Sequence, residues 1–165
     1  MPVAVSFEHV DVVFGKNQGE ALKMLDGGAD RDEIQAATDT IIGVADANIA
    51  IEEGEICVLM GLSGSGKSSL LRCVNGLNNI ARGSLKVSHE GKQIDLANCS
   101  AAELRSLRMG RISMVFQQFA LMPWRTIREN VGLGLELKGM SKAERKDMVD
   151  QKLEMVRLDQ WADKK

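Results

Sequence analysis

The chain has 165 residues, of which 44% are hydrophobic and 27% charged, a balance that excludes the disordered, collagen-like and coiled-coil classes and leaves room for one ordinary domain. Its 21 Lys and Arg against 23 Asp and Glu give a formal net charge of −2, so no global positive field draws it to nucleic acid or anionic lipid. Glycine is enriched at 16 residues, proline is scarce at 2 and tyrosine is absent. Cys57, Cys73 and Cys99 are an odd number at wide spacings, which suits neither a disulfide framework nor a paired-cysteine zinc site and points to a reducing compartment. There is no basic-then-apolar leader and no apolar run near the ~18 residues of a membrane span, so any membrane contact is expected to go through a partner.

In chain order, Val3, Val5, Phe7, Val10 and Val12 alternate with the period of a strand that has one buried face. From about 16 to 40 the pattern changes to an insertion of two short helices. The first ends at Gly27-Gly28, and the second opens with Asp30 and Glu33 in capping-box spacing. Lys23 and Arg31 face six acidic residues there (Glu20, Asp26, Asp30, Asp32, Glu33 and Asp39), which argues against a DNA-reading helix pair. The run IIGVADANIAI and the turn EEGE lead to EICVLMG. Its Ile56, Val58 and Met60 predict a buried central strand. The next helix is predicted to bury Leu70, Leu71, Val74 and Leu77, with Gly76 weakening its end. A hairpin turns at Glu90-Gly91, and a helix capped by Ser100 and Glu103 stops at Gly110. RISMVFQQ is a second apolar strand. Thr126 with Glu129 and Ser141 with Glu144 open two more helices, the first ending at Gly139 and the last running toward Trp161.

The chemistry sits in Gly61-Leu-Ser-Gly-Ser-Gly-Lys-Ser68, which fits G-x-x-x-x-G-K-[ST] between a predicted strand and a predicted amphipathic helix. Gly64 and Gly66 let the backbone curl so that successive N–H groups face one anion, where a Cβ would block the approach. The helix that follows adds its positive end, Lys67 reaches the β and γ phosphates, and the Ser68 hydroxyl is placed to ligate Mg²⁺.

With GLSGSGKSSLLRCVNGL and, further on, ISMVFQQFALMPWRTIRENV, the chain resembles the ATP-binding subunits of ABC transporters. The insertion and FQQFALMPWRT are similar to the quaternary-amine importers that move glycine betaine, proline betaine or choline. The resemblance implies an α/β P-loop NTPase fold: a mixed sheet with an antiparallel β edge, a nucleotide-binding core over 1–125 and the start of a helical subdomain over 126–165. It implies ATP and Mg²⁺ as cofactors. Phe14 corresponds to the aromatic that stacks on adenine, and Gly61, Ser63, Gly64, Ser65, Gly66, Lys67, Ser68 and Ser69 form the phosphate loop. Gln117 is the strand-end glutamine that ligates Mg²⁺ and orients water, which makes it catalytic together with Lys67. The implied partners are a transmembrane permease subunit, a second ATP-binding subunit and, indirectly, a periplasmic binding protein, on the cytoplasmic face of a bacterial inner membrane.

Complete members of the family continue with an LSGGQ-type signature, an Asp-Glu strand end and a late switch histidine. Since the sequence contains none of them, it is expected to be the N-terminal part of a subunit, able to bind ATP but hardly to turn it over. A non-catalytic nucleotide-sensing module is the alternative, and a P-loop small-molecule kinase fits less well. Phe14 as a sheet-edge cap is the plain alternative to stacking. Phe119, Leu121, Met122 and Trp124, around Pro123, read equally as satellite core or as a docking surface. Arg105, Arg108 and Arg111 read as a solvated basic stripe, Cys57 and Cys73 as inert fillers, and His9 and His89 have no metal-like partners.

Overall fold

The computed structural model describes residues 2–116, 118 and 121–165; Gln117 and Phe119 lie outside the described residues. The chain divides into two compact units, Met1–Ser113 and Met114–Lys165.

The first unit is built on a four-stranded antiparallel sheet in the order β2-β1-β3-β4. Strand β1 (Val3–Phe14) is followed by the insertion helices α1 (Gln18–Asp26) and α2 (Arg31–Thr38) and then by β2 (Ile41–Glu52). Helix α3 (Lys67–Val74) precedes the hairpin β3 (Arg82–His89) and β4 (Lys92–Asp95) and helix α4 (Ala101–Gly110). The hairpin turns where the sequence predicts, with φ of +51° at Glu90 and +76° at Gly91, the pair of positive values that matches strand twist. The capping boxes predicted at Asp30 and Ser100 are both present.

The alternation in β1 is interrupted at His9, φ +50°, where the register to β2 slips between Phe7 and Val10. Beyond this bulge Val10, Asp11, Val12 and Val13 are all buried, because one face of the strand meets α3 and the other meets the insertion. Phe7, Val10, Val12, Val44, Leu70, Cys73 and Leu85 form the main core, and Val13, Ala21, Ile34 and Ile42 form a second one under the insertion. Full burial of each large aliphatic contributes about 1.5–3 kcal/mol. Buried Asp11 accepts from Arg82 Nε and from the Asp46 N–H at 2.7 Å.

Four expectations change. Residues 55–60 form no strand, and Ile56, Val58 and Met60 are 90%, 69% and 87% exposed; among the described residues no strand pairs with this segment, so its apolar run has no sheet to be buried in. Residues 112–116 likewise form no strand, with Val115 97% exposed. In α3 the buried positions are Leu70 and Cys73, with Val74 packed beside them, while Leu71 and Leu77 are exposed. The face follows i, i+3, i+4 from Leu70, and Leu71 lies about 100° around the helix. Gly76, φ +69°, ends α3 in a Schellman motif: its own N–H donates to Cys73 O at 2.9 Å and the Leu77 N–H to Arg72 O at 2.8 Å,. Cys57 is exposed rather than a core filler, whereas Cys73 is buried, and burial pushes its thiol up to about 11.

In the second unit, α5 (Ile127–Val131), α6 (Leu133–Leu137) and α7 (Lys142–Met155) pack around Val149, Leu153 and Ala162. The capping boxes predicted at Thr126 and Ser141 are present. The helix expected to run from Thr126 to Gly139 is divided at Gly132, beside which Val149 packs. The segment ahead of Thr126 is bonded to α5 and α6. The Met122 N–H donates to Asn130 Oδ1 at 2.7 Å, and Arg125 forks onto Glu136. Among the described residues no helix is long and apolar enough to cross a membrane.

Candidate functional site

The glycine loop opens α3, and its backbone requires the residues it has. Gly64 has φ +80° and Gly66 has φ +92°, both in the left-handed region that L side chains rarely adopt. Gly66 carries a second constraint, since a Cβ there would lie 2.2 Å from Gly43 O; the loop is laid directly on strand β2. The Leu70 N–H is the first of the helix to bond back, to Gly66 O at 2.9 Å. The N–H groups from Gly66 to Ser69 thus form the open positive end of α3, and the N-cap Gly66 brings no side-chain acceptor to it. A Ser, Asn or Asp at that position would close the end with its own oxygen.

Lys67 is on the first turn, and its ammonium donates to Gly61 O at 2.9 Å, Leu62 O at 2.6 Å and Ser65 Oγ at 3.1 Å. All three donors therefore bind oxygens of the loop they follow. The Ser65 N–H donates to Leu62 O at 3.3 Å, which tightens the turn. Ser63 and Ser68 are exposed, and Ser69 is half-buried, with its carbonyl accepting from Asn78 Nδ2 at 3.0 Å. A cluster of N–H donors, one ammonium and exposed hydroxyls around a concave backbone is complementary to a polyanion. The Ser68 hydroxyl is a hard oxygen donor of the kind Mg²⁺ accepts.

Phe14 ends β1 opposite Ile41. Its ring lies across Gly43, where a Cβ would come within 2.5 Å of ring carbon Cε2. Gly43 is in turn the residue whose carbonyl faces Gly66. The ring, one strand glycine and the mouth of α3 are therefore neighbours in space, although Phe14 and Gly66 are far apart in sequence. With Phe14 39% exposed, part of the ring remains open to solvent.

The sequence profile described as "ABC transporter" matches residues 44–165, which includes the whole glycine loop. The chain belongs to the ABC transporter family. Among curated members, this ABC transporter chain is similar to the glycine betaine/proline betaine transport ATP-binding protein ProV of Escherichia coli, with 40% identity over 98% of this chain and 40% of that protein. It is also similar to the glycine betaine transport ATP-binding protein OpuAA of Bacillus subtilis, with 43% identity over 96% of this chain and 37% of that protein. The chain thus spans about two fifths of the length of these relatives. Among solved structures it resembles the ATP-binding cassette MJ0796, a dimer bound to ADP and Pi, at TM-score 0.72 and 28% identity over 96% of this chain and 60% of that one. The α/β P-loop fold expected from the sequence is therefore the fold of this family.

Gln117 lies outside the described residues. In the second unit, one side chain ties the loop ahead of α5 to that helix. Asn130 Nδ2 donates to Met122 O at 3.1 Å, Arg125 O at 3.2 Å and Thr126 O at 3.0 Å. Leu121 is exposed and Trp124 is 68% exposed. Trp124, Arg125, Arg128, Arg145 and Val149 are among the residues lining a cavity of about 660 Å³. Glu136 accepts from both Arg125 and Arg145, and the Arg125 guanidinium holds its carboxyl below the usual carboxylate range.

The basic stripe of α4 has structural partners: Arg108 Nε donates to Asn75 O at 2.8 Å, and Arg111 bonds Ser88 O and Glu53. His9 pairs with Asp46 at 2.7 Å, and His89 contacts Ser106 at 3.2 Å; neither stands in a metal-like group among the described residues. Reading the sequence missed Gly43, which leaves room for the Phe14 ring and whose carbonyl meets the loop at Gly66. Its signal was available, because a glycine inside the strand run IIGVADANIAI marks a close approach of another backbone.

Proposed function

We propose that this chain is the nucleotide-binding part of an ATP-hydrolysing motor subunit that drives import of glycine betaine-type quaternary amines. The observation that carries this reading is the left-handed glycine loop seated on Gly43, with Lys67 on the first turn of an uncapped helix. It supports exchange of the loop oxygens around the ammonium for phosphate oxygens, which form stronger, charge-assisted bonds. Each such bond is worth roughly 1.5–3 kcal/mol, so a few of them reach the ~8 kcal/mol of micromolar affinity.

The assignments are Gly61, Ser63, Gly64, Ser65, Gly66, Lys67, Ser68 and Ser69 to the phosphates, Phe14 to the base, and Lys67 and Gln117 to catalysis. Ser68 and Gln117 would hold Mg²⁺, which when bound neutralises charge between the β and γ phosphates. Residues 1–125 form the nucleotide-binding core with the 16–40 insertion, and 126–165 begin a helical subdomain. The implied partners are a transmembrane permease, a second copy of the subunit and, indirectly, a periplasmic binding protein, at the cytoplasmic face of the inner membrane. The names of ProV and OpuAA support the betaine class. The dimeric MJ0796 supports the second copy.

The test is the full-length subunit assembled with its membrane partner. Lys67→Ala is expected to lower Mg²⁺-dependent ATP turnover and uptake of radiolabelled glycine betaine together, each by at least about 100-fold. Undiminished turnover overturns the reading, and nucleotide binding without turnover in the unaltered assembly replaces the motor with a sensing module.

A further inference from the structure

The insertion between β1 and β2 enters and leaves the sheet at one point, and that point is Phe14. The chain leaves β1 through Gly15, φ +142°, where a Cβ would lie 2.6 Å from Thr40 Oγ1 and 3.0 Å from Asp39 O; the outgoing and returning strands touch there. Gln18, the first residue of α1, donates its amide to Val13 O at 3.2 Å and to Gly15 O at 3.3 Å, the two carbonyls that flank Phe14 in the chain. Asn17 Nδ2 donates to Thr38 O at 3.0 Å, and Thr38 and Thr40, both buried, bond Ile34 O and Thr38 O. Ala21 and Ile34, from α1 and α2, are fully buried against Val13 and Ile42. The insertion thus bonds the chain on both sides of Phe14 and packs on Val13 beside it. The ring itself is set across Gly43, whose carbonyl faces Gly66 of the phosphate loop.

We propose that the 16–40 insertion is a brace that fixes Phe14 for the base of a nucleotide, with Gln18 as its positioning residue. The inference rests on the phosphate-loop reading above and adds a role for a segment that reading leaves unused. A rigid aromatic platform loses little freedom when a base stacks on it, so the brace strengthens the base-dependent part of binding and leaves the phosphate-dependent part alone.

Two probes separate those parts: ATP, and inorganic tripolyphosphate, which has no base. Both are titrated calorimetrically into the full 165-residue chain. Gln18→Glu keeps the shape of the side chain but turns the donor into an acceptor facing two carbonyls. It is expected to weaken ATP by about 3- to 10-fold with tripolyphosphate unchanged, and to have no further effect in a Phe14→Ala background. Gln18→Ala, which removes the amide without adding a charge, should give the same pattern to a smaller extent. Equal weakening of both probes, or an undiminished Gln18→Glu effect on ATP in the Phe14→Ala background, overturns the brace alone. Failure of tripolyphosphate to bind the unaltered chain overturns the phosphate-loop reading, and the brace with it.

Discussion

Gly66→Ala should be the most damaging single-methyl change in the glycine loop, and the structure gives its size. At φ +92° an alanine incurs the left-handed penalty of about 1–2 kcal/mol. Its Cβ would also stand 2.2 Å from Gly43 O, a contact with backbone that neither side can relieve by changing a rotamer. Forcing α3 and β2 apart is an overpacking cost of about 1–3 kcal/mol. The total is about 2–5 kcal/mol. Gly64→Ala is the internal control, because Gly64 has a similar φ of +80° but open space around the added carbon; its cost should stop at about 1–2 kcal/mol. Urea unfolding of both variants, followed by circular dichroism, should place Gly66→Ala lower by about 2 kcal/mol at equal slope. Equal destabilisation by the two alanines would refute the argument that the loop lies on Gly43.

Arg82→Leu leaves buried Asp11 without its guanidinium and is expected to cost about 2–3 kcal/mol by thermal or urea denaturation, less than a fully buried pair because Arg82 is partly exposed,; Asp11→Asn in the same chain should recover part of it. The backbone N–H of Ser100 and of Thr126 hold Glu103 and Glu129 below the ordinary carboxylate value, and chiefly the Ser141 hydroxyl does so for Glu144. Their stabilisation is therefore complete above that ordinary value of about 4.5 and is lost as pH falls through the lower folded values; helical ellipticity should decline over that acid range, and less so in a variant with all three replaced by Gln. Trp124→Ala, in the complete assembled transporter, should impair assembly with the membrane subunit or uncouple ATP turnover from uptake while nucleotide affinity holds and the melting temperature moves by less than about 2 °C; a variant that melts early yet assembles and transports normally assigns Trp124 to satellite core instead.

Local signals in the sequence were reliable because they depend on neighbours in the chain. Capping boxes at Asp30, Ser100, Thr126 and Ser141, the turn at Glu90-Gly91 and the left-handed glycines at 64 and 66 each appear as the residue types require. The segments at 56–60 and 112–116, which form no strand, were misread for a different reason. An apolar run says that a strand would be buried if neighbours were present, and it does not say which strands those are. The face of α3 was misjudged by including Leu71, one position around the helix from the row that meets β1 and β2, and Leu77, which lies beyond the helix end at Val74 and the left-handed Gly76. At the site, the motif identified the loop, but the stacking of Phe14, Gly43 and Gly66 is a long-range fact set by the pairing of β1 with β2. No motif spans that pairing. The Gln18 bonds to either side of Phe14 are legible only once α1 is placed against the strand end.

The central claim is that the loop beginning at Gly61 binds the phosphates of ATP through Lys67. Calorimetric titration of ATP with Mg²⁺ into the 165-residue chain and into its Lys67→Ala variant tests it most directly. The account predicts saturable binding by the unaltered chain, weakened about 10- to 100-fold in the variant, with both chains showing the same helical and sheet content by circular dichroism. Equal ATP affinity in the two chains would contradict it.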